Sequence, residues 1–442
     1  MKKLTSTIIF SAVLMTTTAT AQTREWTLQE CTNYAVENNL SVKRTEDNLH
    51  RQEIQLNSAQ NAYLPSVNAS VDQNFSFGRG LTADNTYSNT NTRSTSFNIG
   101  ANINLFNGFQ TKNNVELSKL NLAASTADLE KAKNDIRIQV AQSYVQILYD
   151  MEIEDVARRQ ISIDSAQVAR LEAFVNNGKA SEAELSQQRA SLANSTLTLT
   201  QAINNKKLAL LTLAQILELP NADDFAIVRP DTSSMRTEPI VMSNDSISSI
   251  NYQRPEILAE EIRLEATEYN LKIAKGQALP TLNLSAGMGT NYYNSSNGFK
   301  VESFNKQIDN NFSQYVGLNL NIPIFNRFQV RNNIRDVRIQ QYSQQHNLDL
   351  ARKNLYKEIQ QVTLNAENAT AKVAAAREAV RNSETAFRLA QAKYENGKST
   401  ITEFNESKNS FLKSQSDLAQ AIYENMYNTM LLRWYQGEEM EW

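Results

Sequence analysis

Hydrophobic positions along this chain keep two different periods, and the switch between them occurs twice in the same way. From Thr27 to Tyr63 the apolar side chains are spaced as on a helix, with Thr27 and Glu30 at capping-box distance, and Leu64-Pro65 ends the pattern. The period then drops to two. Val67, Ala69 and Val71 alternate with Ser66, Asn68, Ser70 and Asp72, and Phe75 and Phe77 continue the apolar face. A polar loop is expected from Gly78 to Arg93. Beyond it, Phe97, Ile99, Ala101, Ile103 and Leu105 alternate with Ser96, Asn98, Gly100, Asn102 and Asn104. From Asn107 to Asn176 there is no proline, and Gly108 is the only glycine, which predicts a helix of about 70 residues and about 105 Å. A shorter helix is expected from Ser181 to about Leu219.

Pro220 opens a break. Residues 221–250 keep no sustained period and read as a linker with room for a short strand. Asn251-Tyr252-Gln253-Arg254-Pro255-Glu256 then starts the sequence again, with Pro255 fitting a first-turn helix position. Leu279-Pro280 stands where Leu64-Pro65 stood. Leu282, Leu284, Ala286 and Met288 alternate with small polar residues, a polar loop spans Asn294 to Phe312, and Val316, Leu318, Leu320 and Ile322 alternate with Gly317, Asn319 and Asn321. A second long helix is expected from Asn326 to Asn396 and a last one from Ser399 to about Gln436.

The two long helical patterns end alike. Asn177-Gly178-Lys179 and Asn396-Gly397-Lys398 lie 219 residues apart. Glycine takes the left-handed conformation that stops a helix, and Ser181 with Glu184, like Thr400 with Glu403, has the spacing that starts the next. The chain is therefore a duplication: residues 22–220 form one repeat, 221–250 the linker and 251–442 the other. The Leu-Pro pairs are only 215 residues apart, so four extra residues fall in the second hairpin, most simply in its loop. Along the helix after the second turn, Phe404, Phe411 and Leu418 alternate with Ser407, Ser414 and Ala421. Leu185, Leu192 and Leu199 with Gln188, Ser195 and Ala202 do the same in the first, which suits knobs-into-holes packing.

Composition narrows the class. Only 12 glycines and 7 prolines in 442 residues suit long helices, and a net charge of −3 without a basic block argues against nucleic acid. Lys2 and Lys3, the short apolar stretch Leu4 to Met15, and Ala19-Thr20-Ala21 read as a secretory signal over residues 1–21; the apolar stretch is short for a membrane anchor. The single cysteine, Cys31, has no intrachain partner and no lipid-attachment context. No other stretch is long and apolar enough for a transmembrane helix, so contact with a membrane must come through strands.

The four strands each have one apolar and one polar face, at about ten residues apiece, the length a tilted strand needs to cross a bilayer. Phe106, Phe109, Phe325 and Phe328 stand at one end, and Phe75, Phe77, Tyr292 and Tyr293 toward the loops, like the two aromatic girdles of an outer-membrane barrel. A soluble sandwich would also alternate, but four strands with four long helices leave that sheet no soluble core. Four strands cannot close a barrel, and an open edge is not viable in lipid, so copies must join through their strands. Two copies give eight strands, too narrow for an open pore; three give twelve.

The duplication, Leu64-Pro65 and Leu279-Pro280, Arg254-Pro255-Glu256 and the two Asn-Gly turns, in this order and spacing, resemble the TolC-like outer-membrane efflux protein family over essentially the whole mature chain. The resemblance implies an α+β membrane protein of long α-helical coiled coils with four transmembrane strands per chain. It also implies a homotrimer with a 12-stranded β-barrel in outer-membrane lipid and a periplasmic α-helical tunnel. It implies an exit duct for a tripartite efflux pump or type I secretion system, with a periplasmic adaptor protein and an inner-membrane transporter of RND or ABC type as partners. Asn177, Gly178, Lys179, Asn396, Gly397 and Lys398 then match the adaptor-docking tips. Glu403 and Glu406 match the acidic rings of the inner aperture, Glu184 is their partner in the first repeat, and Tyr394 matches a tyrosine that helps hold the aperture shut. Where the family's closing network carries an arginine, this chain has Ser399. Glu184 and Glu403 equally fit helix capping; Glu406 does not.

His50 and His346 sit in helical patterns without ligand spacing, and there is no G-x-S-x-G, phosphate loop or CxxC, so neither enzyme chemistry nor a cofactor or metal is expected. The alternative from another class is a structural or adhesive coiled-coil surface protein. The polar second face of all four strands counts against it.

Overall fold

The computed structural model describes residues 24–81, 85–220, 225–230, 254–296 and 302–440. The expected leader, residues 1–21, and most of the linker lie outside the described residues. In chain order the elements are β1 (Arg24–Trp26), α1 (Leu28–Asn38), α2 (Leu40–Asn61), β2 (Ser66–Leu81), β3 (Tyr87–Asn107), α3 (Gln110–Asn176), α4 (Glu182–Ile216), β4 (Phe225–Ile227), α5 (Pro255–Gly276), β5 (Thr281–Ser295), α6 (Phe304–Asn310), β6 (Ser313–Asn321), α7 (Gln329–Glu395) and α8 (Ile401–Tyr435). The two long helices have 67 residues each, and the two that follow the turns have 35 each. The elements fall into two compact units. One holds the residues up to Val42, Asn134–Met242 and Ile359–Trp442; the other holds Lys43–Lys133 and Ser243–Glu358.

In the second unit β2, β3, β5 and β6 form an antiparallel sheet in that order. Its register joins the four alternating patterns into rows. Val67, Ala101, Ala286 and Val316 lie side by side, as do Ile103, Leu284 and Leu318. On the opposite face run Ser66, Asn102, Ser285 and Gly317, then Asn104, Asn283 and Asn319. One face is thus apolar and the other is mostly Asn, Ser and Gly, with Asp72 of β2 also on it. Val67, Val71, Val316 and Leu318 are each about two-thirds or more exposed, so the apolar face has no cover among the described residues. The outer edges of β2 and β6 carry unpaired backbone.

Three sequence expectations need correction here. The strands are longer than ten residues: β2 has 16, β3 21 and β5 15, while β6 has 9. Backbone ladder bonds continue where side-chain alternation stops, so Gly78 to Leu81 pair with Tyr87 to Thr90, inside the expected loop. This extension brings Arg93 onto the apolar face directly opposite Phe75, with its guanidinium 5.7 Å from the ring centre, so that face does carry charge at its loop end. Second, Leu105 is the extra residue of a bulge, and Phe106 takes its place opposite Leu282. Third, the loop of the second hairpin contains α6, whose Gln307 ties to Tyr293 through both main-chain groups (2.9 and 3.0 Å).

The entry to each long helix repeats a left-handed pair, Gly108 and Phe109 (φ 66° and 63°), then Arg327 and Phe328 (φ 55° and 63°). Gly108 also lies against Gly276: a Cβ on Gly108 would fall 2.2 Å from the Gly276 carbonyl oxygen. Glycine is required there by both conformation and space.

The helix expected from Thr27 to Tyr63 is two helices, α1 in the first unit and α2 mostly in the second. The Thr27–Glu30 capping box is present (Glu30 N–H to Thr27 Oγ1 3.2 Å, Thr27 N–H to Glu30 Oε2 2.9 Å). Asn39 breaks the helix with an extended backbone (ψ 130°), because its side chain does the work of the backbone ladder: Oδ1 accepts from Ser41 N–H, and Nδ2 donates to the Ile216 carbonyl. Strand β1, which the sequence pattern did not announce, pairs in parallel with β4, the short strand of the linker. Tyr144 of α3 holds the pair, its hydroxyl lying 2.7 Å from the Val228 carbonyl and 3.0 Å from that of Trp26. Cys31 is fully buried beside this cluster, and burial pushes its thiol up to about 12. No described helix is long and apolar enough to cross a membrane.

Candidate functional site

The two helical turns are built alike, atom by atom. After α3, Gly178 N–H bonds the Val175 carbonyl (2.9 Å) and Lys179 N–H the Phe174 carbonyl (2.8 Å); after α7, Gly397 bonds Tyr394 (3.0 Å) and Lys398 bonds Lys393 (2.8 Å). This is the Schellman pattern, closed by a left-handed glycine (φ 68° and 69°). Asn177 and Asn396 each add a side-chain bond to a carbonyl four residues back, 2.6 and 2.7 Å. These bonds turn inward, so Lys179 and Lys398 stand exposed at the crests, and all six residues matched to docking tips are exposed.

The acidic residues divide by role. Glu184 completes a capping box with Ser181: its N–H donates to Ser181 Oγ, and its carboxylate accepts from Ser181 N–H, both at 3.2 Å. Glu403 receives only half of that arrangement from Thr400 (3.2 Å), and its carboxylate accepts from the Ser399 hydroxyl (2.5 Å) instead. That hydroxyl, then the Thr400 backbone, holds the Glu403 carboxyl below its usual range. Glu406 is exposed and makes no hydrogen bond or ion pair among the described residues. Glu184 therefore caps its helix, the Glu403 carboxylate is held by Ser399, and Glu406 has no hydrogen bond or ion pair among the described residues.

Tyr394 lies between the hairpins. It packs on the cluster of Val168, Leu171, Leu185 and Ile401 and stacks on Phe404, with ring centres 5.2 Å apart. Burial, reinforced by the Glu184 charge, pushes its hydroxyl up. Phe387, Phe404 and Phe411 continue the stack along α7 and α8, filling the large positions of the heptad seam. The small positions Ser195, Ala202, Ser414 and Ala421 are buried as the seam requires.

Two ties between the hairpins escaped the sequence reading. Lys408 of α8 reaches into the α3–α4 pair, and its Nζ bonds Asp164 Oδ1 (2.5 Å) and Ser191 Oγ (3.1 Å). Lys408 and Asp164 are 1% and 0% exposed. Asp164 also accepts from Gln160 (2.6 Å), Gln188 (3.0 Å) and Ser195 (2.5 Å), so three helices meet on one carboxylate. Nearer the tip, Arg170 of α3 reaches both the side chain and the backbone carbonyl of Glu395, each at 3.3 Å. A signal existed: Asp164, Val168 and Leu171, like Phe404, Lys408 and Phe411, follow the four-then-three spacing of a seam, so each charge occupies a core position.

No group of three or more His, Cys, Asp or Glu among the described residues could hold a metal. The site is built for packing, closure and exposure of two crests.

Known proteins match this architecture. The chain is 24% identical over 393 residues to the outer membrane efflux protein BepC of Brucella suis biovar 1 (strain 1330), covering 88% of this chain and 80% of that protein. Its fold is that of CusC, with a TM-score of 0.78 at 18% identity over 93% of this chain and 92% of that one. It is equally that of the outer membrane protein VceC of Vibrio cholerae, with a TM-score of 0.74 at 17% identity over 94% and 97%. The outer membrane efflux protein family matches residues 32–218 and 246–428, one stretch for each repeat. A duplicated chain with a two-faced sheet, paired long helices and two capped turns, matched in both halves, belongs to the outer membrane efflux protein family.

Proposed function

We propose that three copies of this chain form the exit duct of a tripartite efflux pump or type I secretion system. The efflux function and the outer-membrane location are those of the family; the trimer, the docking tips and the aperture are the further step. One observation carries it. The sheet has an apolar face with no cover among the described residues, a polar face of mostly Asn, Ser and Gly, and two open edges, β2 and β6. In lipid both edges must be paired, and pairing β6 of one copy with β2 of the next around a threefold axis gives twelve strands with the Asn, Ser and Gly rows facing water. Eight strands would leave no open lumen.

The exposed crests around Lys179 and Lys398 suit docking of a periplasmic adaptor that links the duct to an inner-membrane transporter. Three copies of Glu406, with Glu403 beside it, place a ring of carboxylates about the axis, which favours cations at a constriction. Glu406 supports this reading because nothing among the described residues uses its charge. The residues have no catalytic task in this reading; the energy comes from the transporter.

The test is photo-crosslinking in cells from a probe at Lys179 or Lys398, with mass spectrometry of the captured protein. Capture of a periplasmic adaptor is expected, and the transporter paired with that adaptor names the cargo. Trimers in the outer membrane that capture no adaptor would refute the docking assignment. Replacing Glu403 and Glu406 with Gln should weaken cation selectivity in planar bilayers; unchanged selectivity removes them from the aperture.

A further inference from the structure

The duplication lets the foot of one long helix be compared with the foot of the other. At the start of α7, Arg331, Arg335 and Arg338 follow one another at intervals of four and three, so they share one helix face over about 10 Å. All three are exposed, and none makes a hydrogen bond or ion pair among the described residues. Arg331 leans on Phe328, its guanidinium 5.9 Å from the ring centre. Asp336 is the only acid between Pro323 and Gln340, and it accepts from Gln340 (2.8 Å). Moving the arginines back by 219 residues gives Lys112, Glu116 and Lys119. There the middle position is a carboxylate, and Lys119 pairs with it at 2.9 Å. The first repeat offsets its basic foot, and the second leaves three guanidinium groups uncompensated.

The three arginines line an open groove together with Ile324, Val330 and Ile334, so one wall is cationic and the other apolar. The apolar wall continues the uncovered face of β6. Val316, Leu318, Leu320 and Ile322 are each more than half exposed, and so are Ile324, Phe325 and Phe328. In a family of outer-membrane proteins with periplasmic helices, the end of the strands nearest α7 is the level where hydrocarbon gives way to the headgroups of the periplasmic leaflet. Exposed aliphatic and aromatic side chains, followed within two turns by unpaired arginines, match that boundary. Guanidinium forks bind phosphate bidentately, and three of them without a carboxylate partner call for an anion. A free phosphate would leave the apolar wall in water, whereas a lipid covers both walls.

We propose that this groove binds the headgroup phosphate of an anionic glycerophospholipid of the periplasmic leaflet. Arg331, Arg335 and Arg338 donate to the phosphate, and Ile324, Val330 and Ile334 lie against the glycerol end of the acyl chains. The site belongs to a single chain and rests on the reading of the sheet as the membrane-spanning part of the duct. It fastens α7 to the membrane surface through the second repeat alone, because Glu116 removes the equivalent site from the first.

Native mass spectrometry of the detergent-solubilised protein, titrated with phosphatidylglycerol or with zwitterionic phosphatidylcholine, reads both the assembly and the lipids held per chain. The wild type should hold phosphatidylglycerol in preference to phosphatidylcholine. Replacing Arg331, Arg335 and Arg338 with Gln should weaken phosphatidylglycerol binding on the order of a hundredfold. Arg335→Glu alone, which copies the first repeat, should weaken it on the order of tenfold. Lys112→Gln with Lys119→Gln should leave it unchanged. Equal retention by the wild type and the triple variant overturns the proposal; if that variant also falls to single chains, the arginines belong to a contact between copies. An equal loss from the Lys112 and Lys119 variant overturns it as well, since any basic foot would then serve. So does displacement of the lipid by inorganic phosphate where chloride of the same ionic strength leaves it bound, which would make the groove a site for the free anion. A wild type that is never trimeric overturns the duct reading instead, and the lipid count per chain still decides the groove.

Discussion

The two helical turns share a backbone and differ in what surrounds it. Both end in a Schellman glycine and both begin again at a hydroxyl cap. Yet Ser181 makes a full reciprocal box with Glu184, while Thr400 makes half of one, its Glu403 carboxylate being taken by Ser399. In the first repeat the position equivalent to Ser399 is Ala180. The core carboxylate Asp164 becomes Ser383, and the buried Lys408 stands where the first repeat has exposed Arg189. Duplication preserved what the chain needs locally, a stop and a restart, and left the flanking positions free to diverge. Among the positions that differ are residues that reach across to the other hairpin.

Mutations can press on this comparison, and the largest effect is expected at the buried charge. Lys408→Met leaves Asp164 charged and enclosed with only neutral donors, at a cost of about 3–5 kcal/mol, whereas Arg189→Met, at the solvent-exposed equivalent, should cost less than about 1 kcal/mol. Denaturant midpoints of the detergent-solubilised protein, followed by helical circular dichroism, separate the two; equal midpoints would mean that the repeats bear load alike at this position. Next come the glycines. Gly108→Ala forces both a left-handed alanine and a clash with the Gly276 carbonyl, on the order of 3 kcal/mol. Gly178→Ala, with nothing within 4 Å of the added methyl, pays only the conformational cost of about 1–2 kcal/mol. Third, Ser181→Ala should lose about 1 kcal/mol and more than Thr400→Ala, because only Ser181 holds both halves of a box. The reverse order in thermal melts would deny the difference between the caps.

The smallest effect concerns protonation. The folded Glu403 carboxyl titrates below its ordinary value of 4.5. A depressed carboxyl contributes stability that is present above its unfolded value and is lost as pH falls through the folded one. Ser399→Ala removes the leading cause of the depression, so the acid limb of the melting-temperature profile should move slightly up in pH.

Most of this fold could be read from the chain because its elements are long and their periods sustained. Four strands, two 67-residue helices and both turns follow from spacing and from the placement of Gly178 and Gly397. The misses have local causes. Asn39 divides a helix by substituting side-chain bonds for backbone ones, which a period cannot register. Strand β1 is three residues long and owes its existence to a partner some 200 residues away. The ladder from Gly78 to Leu81 persists without alternation, so its length was hidden. At the candidate site the turns and caps were legible, since they depend on neighbours in sequence. Asp164 with Lys408 and Arg170 with Glu395 were not, because a partner 244 or 225 residues away is fixed only once the helices are packed side by side.

In the proposed duct, the length of the first hairpin reaches beyond the bilayer. Sixteen residues of β2 at about 3.4 Å each, tilted by about 40°, rise roughly 40 Å, against about 25 Å for the apolar band of an outer-membrane barrel. In the proposed duct the end of the ladder, with Arg79 beside Tyr87, would therefore stand clear of the lipid. That would place a positively charged, aromatic rim where molecules outside the cell can touch it. A phage or an antibody would meet this protein there first, and serum raised against that rim should label intact cells.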